Sequence, residues 1–455
     1  MHLASPWSPR LSDEPGLTHE RLVTAVEEDV TGGRVQVGAR MPAHRDLAYR
    51  LGIGLGTVTK AYAQLERRGI VRSVRGRGMF VAGAAPNPSE IIDLSVNTPP
   101  QMLGDGVLSA TLVALAKQMD ADSFGRYRPP AGSIEHREAM AHWLAEHRFR
   151  IASDRLLLTN GAQHALAVAL ATAAGIGGTV FTEALTYPGG ILAARQNLQV
   201  LEAVALDTEG LRPDALAAAF SAYSGKRRVV YLTPTLHNPT GATMGLMRRS
   251  EIVAVCRAHD AVIIEDDVYS LFTPAGLPAL AELAPERSFY IAGFSKILSP
   301  GLRIGALAVP PDAIQEAQSY LQATSSMASP LTSAIMERWI GDGTARVVGE
   351  AVRREAAERT AMARAILGSS VQPQSGTGFH LWLPMSLAAA ASLAQGAAAR
   401  GVMVTPPAAV MVDENDRAAG VRLCVGAPSR EDLMRALRII RPLLENRTEE
   451  RLAPL

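Results

Sequence analysis

Five short apolar runs constrain this chain more than any other feature: Leu156 to Leu158, Thr179 to Phe181, Val229 to Leu232, Val262 to Ile264 and Phe289 to Ile291. Each is strand-sized, and alanine-rich stretches of helical length lie between them. Strands alternating with helices predict an α/β domain built on a mostly parallel sheet. Ligand sites in such sheets form just beyond the strand ends, and polar clusters stand at several of those places. Thr159-Asn160-Gly161-Ala162-Gln163 precedes an apolar helical run. A glycine before a helix start offers backbone N–H groups and the positive dipole end to a phosphate. Asn238-Pro239-Thr240-Gly241 reads as a turn. Glu265-Asp266-Asp267-Val268-Tyr269 ends an apolar strand, where consecutive acids are costly unless something cationic pairs with them. Phe294-Ser295-Lys296 follows another strand, and Arg303 stands seven residues after that lysine. Arg422 lies inside the apolar run Val421 to Val425 and invites an anionic partner.

The N-terminal part reads differently. From Leu17 to Ala85 there are 11 Lys or Arg against 6 Asp or Glu, whereas the whole chain carries a formal charge of only +1. A basic module therefore precedes a slightly acidic body, with the proline-bearing stretch 83–92 as linker between domains at 17–82 and 93–444. Leu22, Val26 and Val30 recur four apart and predict a helix over Thr18 to Thr31, stopped by Gly32-Gly33. A second helix fits Arg45 to Leu51. Gly52 to Gly56 forms a tight turn, and a third helix fits Thr57 to Arg68 with Gly69 as its stop. Two β-like runs follow, Ile70 to Val74 and Met79 to Val81, with Arg75-Gly76-Arg77-Gly78 as hairpin tip. This is the plan of a winged helix-turn-helix. Its third helix offers Thr57, Lys60, Gln64 and Arg67 to a major groove, and its wing offers Arg75 and Arg77 on a glycine tip to a phosphate backbone.

Composition removes other classes. With 47% hydrophobic and 20% charged residues the chain is globular, not disordered. Cys256 and Cys424 are the two cysteines; they make no disulfide framework or zinc cluster and suit a reducing cytoplasm. The segment before Leu17 lacks a signal-peptide core. The run Ala165 to Ile176 is too short for a bilayer, which needs about 20 residues. A soluble, cytoplasmic protein without a membrane partner is expected.

The N-terminal stretches Met41 to Ala48, Gly56 to Glu66 and Gly76 to Val81 resemble the GntR family of bacterial transcription regulators. That resemblance implies DNA contacts by Arg45, the start of the third helix (Thr57, Lys60) and the wing tip (Arg75, Gly76, Arg77). Leu55 stands where the family usually has a polar or basic residue. The clusters of the body resemble, in order and spacing, the fold-type I pyridoxal 5′-phosphate (PLP) aminotransferases, over roughly Asp93 to Leu444. That resemblance implies a mostly parallel large domain and a small C-terminal domain. It assigns Lys296 to the Schiff base with PLP, Asp266 to the pyridine nitrogen, Asn238 and Tyr269 to the ring oxygen, and Tyr187 to the ring face. It gives the phosphate to Gly161, Ala162, Gln163, Ser295 and Arg303, and a substrate carboxylate to Arg422. Tyr127 is similar to a tyrosine that reaches the phosphate of a partner subunit, which implies a homodimer. Gly293 stands where the family often has Ser or Thr, so one phosphate hydrogen bond is absent. Together the halves resemble the MocR-type regulators, which implies a PLP-dependent regulator of operator DNA, sensing PLP or an amino-acid-like compound joined to it. A working aminotransferase with an attached DNA-binding domain and a sensor of free PLP are the alternatives.

Overall fold

The computed structural model describes residues 7–12, 16–31, 34–35, 39–67, 70–74, 78–81, 91–118, 124–374, 376–413 and 419–450. Two compact units divide the chain: Met1–Ile91 with Ala399–Gly401, and Ile92–Ala398 with Val402–Leu455.

In the first unit, α1 (Thr18–Thr31), α2 (His44–Leu51) and α3 (Leu55–Arg67) precede the strands β1 (Val71–Val74) and β2 (Gly78–Val81). Leu22 and Val26 of α1, Leu47 of α2, and Val58, Ala61, Tyr62 and Leu65 of α3 close one core with Val71 and Val81. The apolar spacing read from the sequence is therefore the packing face. Tyr62 is fully buried, and its hydroxyl donates to the Pro42 carbonyl at 2.9 Å, which removes the cost of an unpaired buried O–H. Gly52 ends α2 in the left-handed region (φ 64°), where a side chain would be strained. The turn expected over Gly52 to Gly56 is shorter in the structure, and α3 starts at Leu55. The Gly54 carbonyl accepts from the Thr57 and Val58 amides at 3.0 and 3.3 Å, which closes the first helical turn two residues early. β1 and β2 pair antiparallel with Val71 opposite Val81.

The second unit opens with β3 (Ile92–Leu94) and continues through β4 (Leu156–Thr159), β5 (Thr179–Glu183), β6 (Val200–Val204), β7 (Leu206–Asp207) and β8 (Gly210–Leu211). Then come β9 (Arg228–Leu232), β10 (Ala261–Asp266), β11 (Ser288–Gly293), β12 (Gly305–Ala308), β13 (His380–Pro384), β14 (Val402–Val404) and β15 (Gly420–Cys424). A seven-stranded sheet runs in the order β4-β12-β11-β10-β9-β5-β6. Its strand pairings are parallel except those of β12, which is antiparallel to both neighbours. All five apolar runs are strands of this sheet, each longer than its apolar stretch. β10 extends through Glu265 and Asp266, so those acids are buried sheet residues.

Helix Ala162–Ala174 packs against the sheet through Ala165, Leu166 and Ala169, among Leu157, Ile264, Phe289 and Ile291. Smaller sheets, β13 with β15 and β14 with β3, together with helices Thr344–Leu367 and Arg430–Glu450, form the second layer system. Among the described residues no helix is long and apolar enough to cross a membrane.

Candidate functional site

The strand ends of the second unit converge on a cavity of about 630 Å³. Lys296 and Ser295 enter it after β11, Asp266 at the end of β10, and Tyr269 just beyond. Asn238 comes from the loop after β9, Ala162 and Gln163 from the helix start after β4, and Arg422 from β15. Tyr187 and Arg303 line the same cavity, as do Ser95 and Asn97 after β3. Residues as far apart in sequence as Ala162 and Arg422 are thus gathered at one edge of the sheet, where α/β folds place ligands.

Three consecutive acids sit there, and their partners differ. Glu265 lies 3.6 Å from Arg249, and Asp267 lies 2.6 Å from Arg148, all four side chains being buried. The cations that the sequence demanded are therefore present for two of the three. Asp266 faces the cavity, and its hydrogen-bond donors among the described residues are neutral, the Tyr231 hydroxyl at 3.1 Å and the Val268 amide at 3.4 Å. Burial pushes its carboxyl up to about 6, against the Tyr231 and Val268 hydrogen bonds that hold it down.

Lys296 is enclosed as well. Its Nζ donates to the Asn97 carbonyl, and burial pushes the ammonium down to about 8, with Arg422 and Arg303 acting in the same direction and Cys424 and Asp266 opposing. The amine therefore sheds its proton nearer neutrality than an ordinary lysine and more readily presents a nucleophilic form.

The other end of the cavity is a cradle. Gly161 adopts φ 86° ahead of helix Ala162–Ala174, and a Cβ there would lie 2.7 Å from the Arg303 guanidinium. A Cβ on Gly305 would lie 2.8 Å from the Ala162 amide nitrogen. The first amides of the helix have no intrahelical acceptor. The Ser295 hydroxyl is buried without a partner among the described residues. Arg303 itself is held at φ 48°, a conformation uncommon for a residue with a side chain. The missing hydroxyl at Gly293 has a packing reason: a Cβ there would come within 3.2 Å of Ala162 Cβ.

Arg422 is buried, and its three nitrogens all donate: Nε to Thr405 Oγ1 at 3.1 Å, Nη1 to Asn238 Oδ1 at 2.6 Å and Nη2 to the Ser95 carbonyl at 2.7 Å. These acceptors are neutral, and among the described residues no carboxylate pairs with it.

Tyr127 does not line this cavity and is 86% exposed. In the first unit, Arg45 and Lys60 are exposed, and Thr57 is half-buried. Leu55 opens α3 with its side chain 45% exposed. Arg75, Gly76, Arg77 and the linker at 83–90 lie outside the described residues.

Sequence reasoning missed Ser95, Asn97, Tyr231, Thr405 and His380. Ser95 to Thr98 follow β3 as the other clusters follow their strands, but that apolar run is three residues long and carried no strand signal. Tyr231 and His380 are strand residues within apolar runs and look like core.

These residues fit PLP. Asp266 is a buried carboxylate short of a cation, which a protonated pyridine nitrogen supplies. The unpartnered Ser295 hydroxyl, the opening amides of the helix and Arg303 fit a phosphate. Lys296 offers an amine to an aldehyde. Among the described residues no cluster of three metal-binding side chains competes with this reading.

Comparison with known proteins bears on both units. Residues 89–440 match the family described as aminotransferase class I and II, and residues 18–81 match the bacterial regulatory proteins of the gntR family. A relative from Bacillus subtilis (strain 168), the uncharacterized HTH-type transcriptional regulator YdeF, is 26% identical over 97% of each chain. The HTH-type pyridoxine biosynthesis transcriptional regulator PdxR of Corynebacterium glutamicum is 27% identical, covering 81% of this chain and 83% of its own. Among solved structures, an archaeal alanine:glyoxylate aminotransferase superposes with a TM-score of 0.71 at 22% identity, covering 86% of this chain and 95% of that one. The second unit thus has the fold-type I aminotransferase architecture expected of it. The chain belongs to the class I and II aminotransferase family and carries ahead of it a GntR-type helix-turn-helix DNA-binding domain.

Proposed function

We propose that this protein is a PLP-dependent transcription regulator, a homodimer that binds operator DNA through its winged helices and senses PLP or an amino-acid-like compound joined to it. The observation that carries this reading is the pairing, in one chain, of a GntR-type domain with a PLP-competent cavity, an order shared along nearly the full length with a relative described as a transcriptional regulator.

When bound, PLP supplies an electrophilic carbonyl and an electron-accepting ring. The chain's residues do the rest. Lys296 presents its amine. Asp266 holds a proton on the ring nitrogen. Asn238 and Tyr269 would address the ring oxygen, and Tyr187 would lie against the ring. Gly161, Ala162, Gln163, Ser295 and Arg303 hold the phosphate. Arg422 awaits a carboxylate, which favours an amino acid over a simple amine. To take one, it would give up part of its hold on Asn238 and the Ser95 carbonyl. The exposure of Tyr127 supports a contact with a second copy. A cytoplasmic setting suits Cys256 and Cys424, both free and buried.

Regulation requires that ligand bind one DNA-binding state better than another, and such couplings run to about 1–3 kcal/mol. Arg45, Thr57, Lys60, Arg75, Gly76 and Arg77 are the proposed DNA contacts. Exchange of Lys60 for alanine is expected to weaken binding to a duplex from the upstream region of its own gene. If Lys60 neutralises a phosphate, the slope of log affinity against log salt should also fall by about one. Fluorescence anisotropy across a salt series checks this, and the cofactor's absorbance should stay unchanged.

The Lys296 environment gives a pH prediction. Burial lowers the amine's proton affinity, so covalent loading of apo-protein with PLP should accelerate as pH rises through about 8 and then level off. An unperturbed lysine would go on accelerating toward 10.5. Stopped-flow absorbance from pH 6 to 10 distinguishes the two. The same amine would serve the second reading, a working aminotransferase. Steady turnover of an amino donor with a keto acid would establish that reading, and its absence across common donors would leave the sensor.

A further inference from the structure

We propose that Asn97 and His380 are positioning residues that fix the direction in which Tyr269 donates its proton. This rests on the PLP reading of the cavity. On β13, His380 is buried, and its Nε2 lies 3.1 Å from the His237 carbonyl. A carbonyl can only accept, so Nε2 carries the hydrogen. Burial keeps the ring neutral, pushing it down to about 3. Nδ1 is therefore a bare acceptor. It faces the Asn97 side-chain amide at 3.4 Å, so the NH₂ end of that amide must be the end turned toward it. The second N–H of the same group reaches the Tyr269 oxygen at 2.6 Å.

The consequence falls on the tyrosine. Its oxygen is already accepting, so its own proton is free for the cavity that Tyr269 lines beside Asn238 and Asp266. Burial also keeps that proton on the phenol, pushing its titration above the ordinary tyrosine range. The charged and titratable groups around this hydroxyl are Arg422, Cys424, Asp266 and Tyr187. Around His380 they are His237, Arg422 and Lys296. The backbone carbonyl of the same Asn97 accepts from Lys296, so one residue ties the lysine and the tyrosine together. A His380 of the other tautomer, or an Asn97 amide turned over, would make Tyr269 spend its proton on Asn97 instead.

A proton donated to the ring oxygen of bound PLP draws negative charge away from the lysine-derived nitrogen beside it. With the donor turned away, that nitrogen keeps its proton to higher pH. The test is an absorbance titration of PLP-loaded full-length protein. His380→Phe removes the acceptor for Asn97 and should raise the pH of the spectral transition by about one unit, the scale of one hydrogen bond to a charged group. His380→Gln, which can both donate to the His237 carbonyl and accept from Asn97, should restore the wild-type transition. Asn97→Asp, whose carboxylate accepts where the amide donated and so takes the Tyr269 proton itself, should shift it in the same direction as His380→Phe, and it carries the test if His380→Phe does not fold. Loaded Asn97→Asp and His380→Phe proteins titrating at the wild-type pH would overturn the proposal. Wild-type protein that takes up no PLP at Lys296 would overturn the cavity reading beneath it.

Discussion

Replacing Lys296 by alanine is expected to remove the whole near-visible absorption band of PLP-treated protein, together with the mass adduct that borohydride reduction leaves on the wild type. The expectation follows from enclosure. Lys296 is the lysine lining the cavity; it lies beside the Asn97 carbonyl and within electrostatic reach of Asp266, Arg422 and Arg303. Among the described residues of that wall no other amine is placed to substitute. The change also has a thermodynamic reading. A ligand present at 100 times its dissociation constant raises the stability of its folded host by about 2.7 kcal/mol. Wild-type protein should therefore melt several degrees higher with PLP than without, and Lys296→Ala should lose most of that gain. A band and an adduct that persist in Lys296→Ala would refute the assignment.

The second large effect has opposite signs in the two forms of the protein. Asp266→Asn removes a buried carboxylate whose titration is raised from 3.8 to about 6, a rise corresponding to about 3 kcal/mol of disfavoured charge near neutrality. Without PLP, Asp266→Asn should be more stable than wild type at pH 7, by about 1–3 kcal/mol after adjustment of the Tyr231 and Val268 hydrogen bonds. The sign with pH follows from linkage. A carboxyl raised in the folded state contributes its stabilising share below its unfolded value of 3.8 and loses it as pH rises through about 6. The advantage of Asp266→Asn should therefore shrink toward pH 4 and be full above pH 6. With PLP the order should reverse, because asparagine cannot neutralise a protonated ring nitrogen. Melting curves of both proteins, with and without PLP at pH 4.5 and 7.5, read all four corners. An apo Asp266→Asn protein less stable than wild type at pH 7.5 would show that Asp266 has a partner other than the cofactor.

Much of this site was legible in the sequence because each element obeys a local rule. Strand-sized apolar runs became the sheet, and polar clusters just after them line the cavity at its edge. A glycine before a helix became the cradle. The acid triplet illustrates the limit. Its need for cations could be read at Glu265 to Asp267, but the arginines that meet it could not. Arg148 is 119 residues away from Asp267 in sequence, and no periodicity links positions that distant. Which of the three acids has no ion-pair partner among the described residues, and so marks the candidate site, depends on that pairing. His380 and Asn97 were missed for a related reason. A histidine in an apolar strand reads as core, and only the facing His237 carbonyl gives its ring nitrogens distinct roles. In the N-terminal domain the helices followed their apolar spacing. The start of α3 did not, because a backbone carbonyl at Gly54 outweighed the helix-breaking tendency of Gly56.

The central claim is that occupancy of the Lys296 cavity sets DNA affinity. Its most direct test is a binding titration of full-length protein on a duplex from the upstream region of its own gene, at fixed moderate salt. The series runs without PLP, with PLP, and with PLP plus a panel of amino acids. The expected result is a shift in affinity of about 5- to 150-fold between ligand states, present in wild type and absent in Lys296→Ala. Equal affinity in every ligand state, or no preference for that duplex over random DNA, would contradict it.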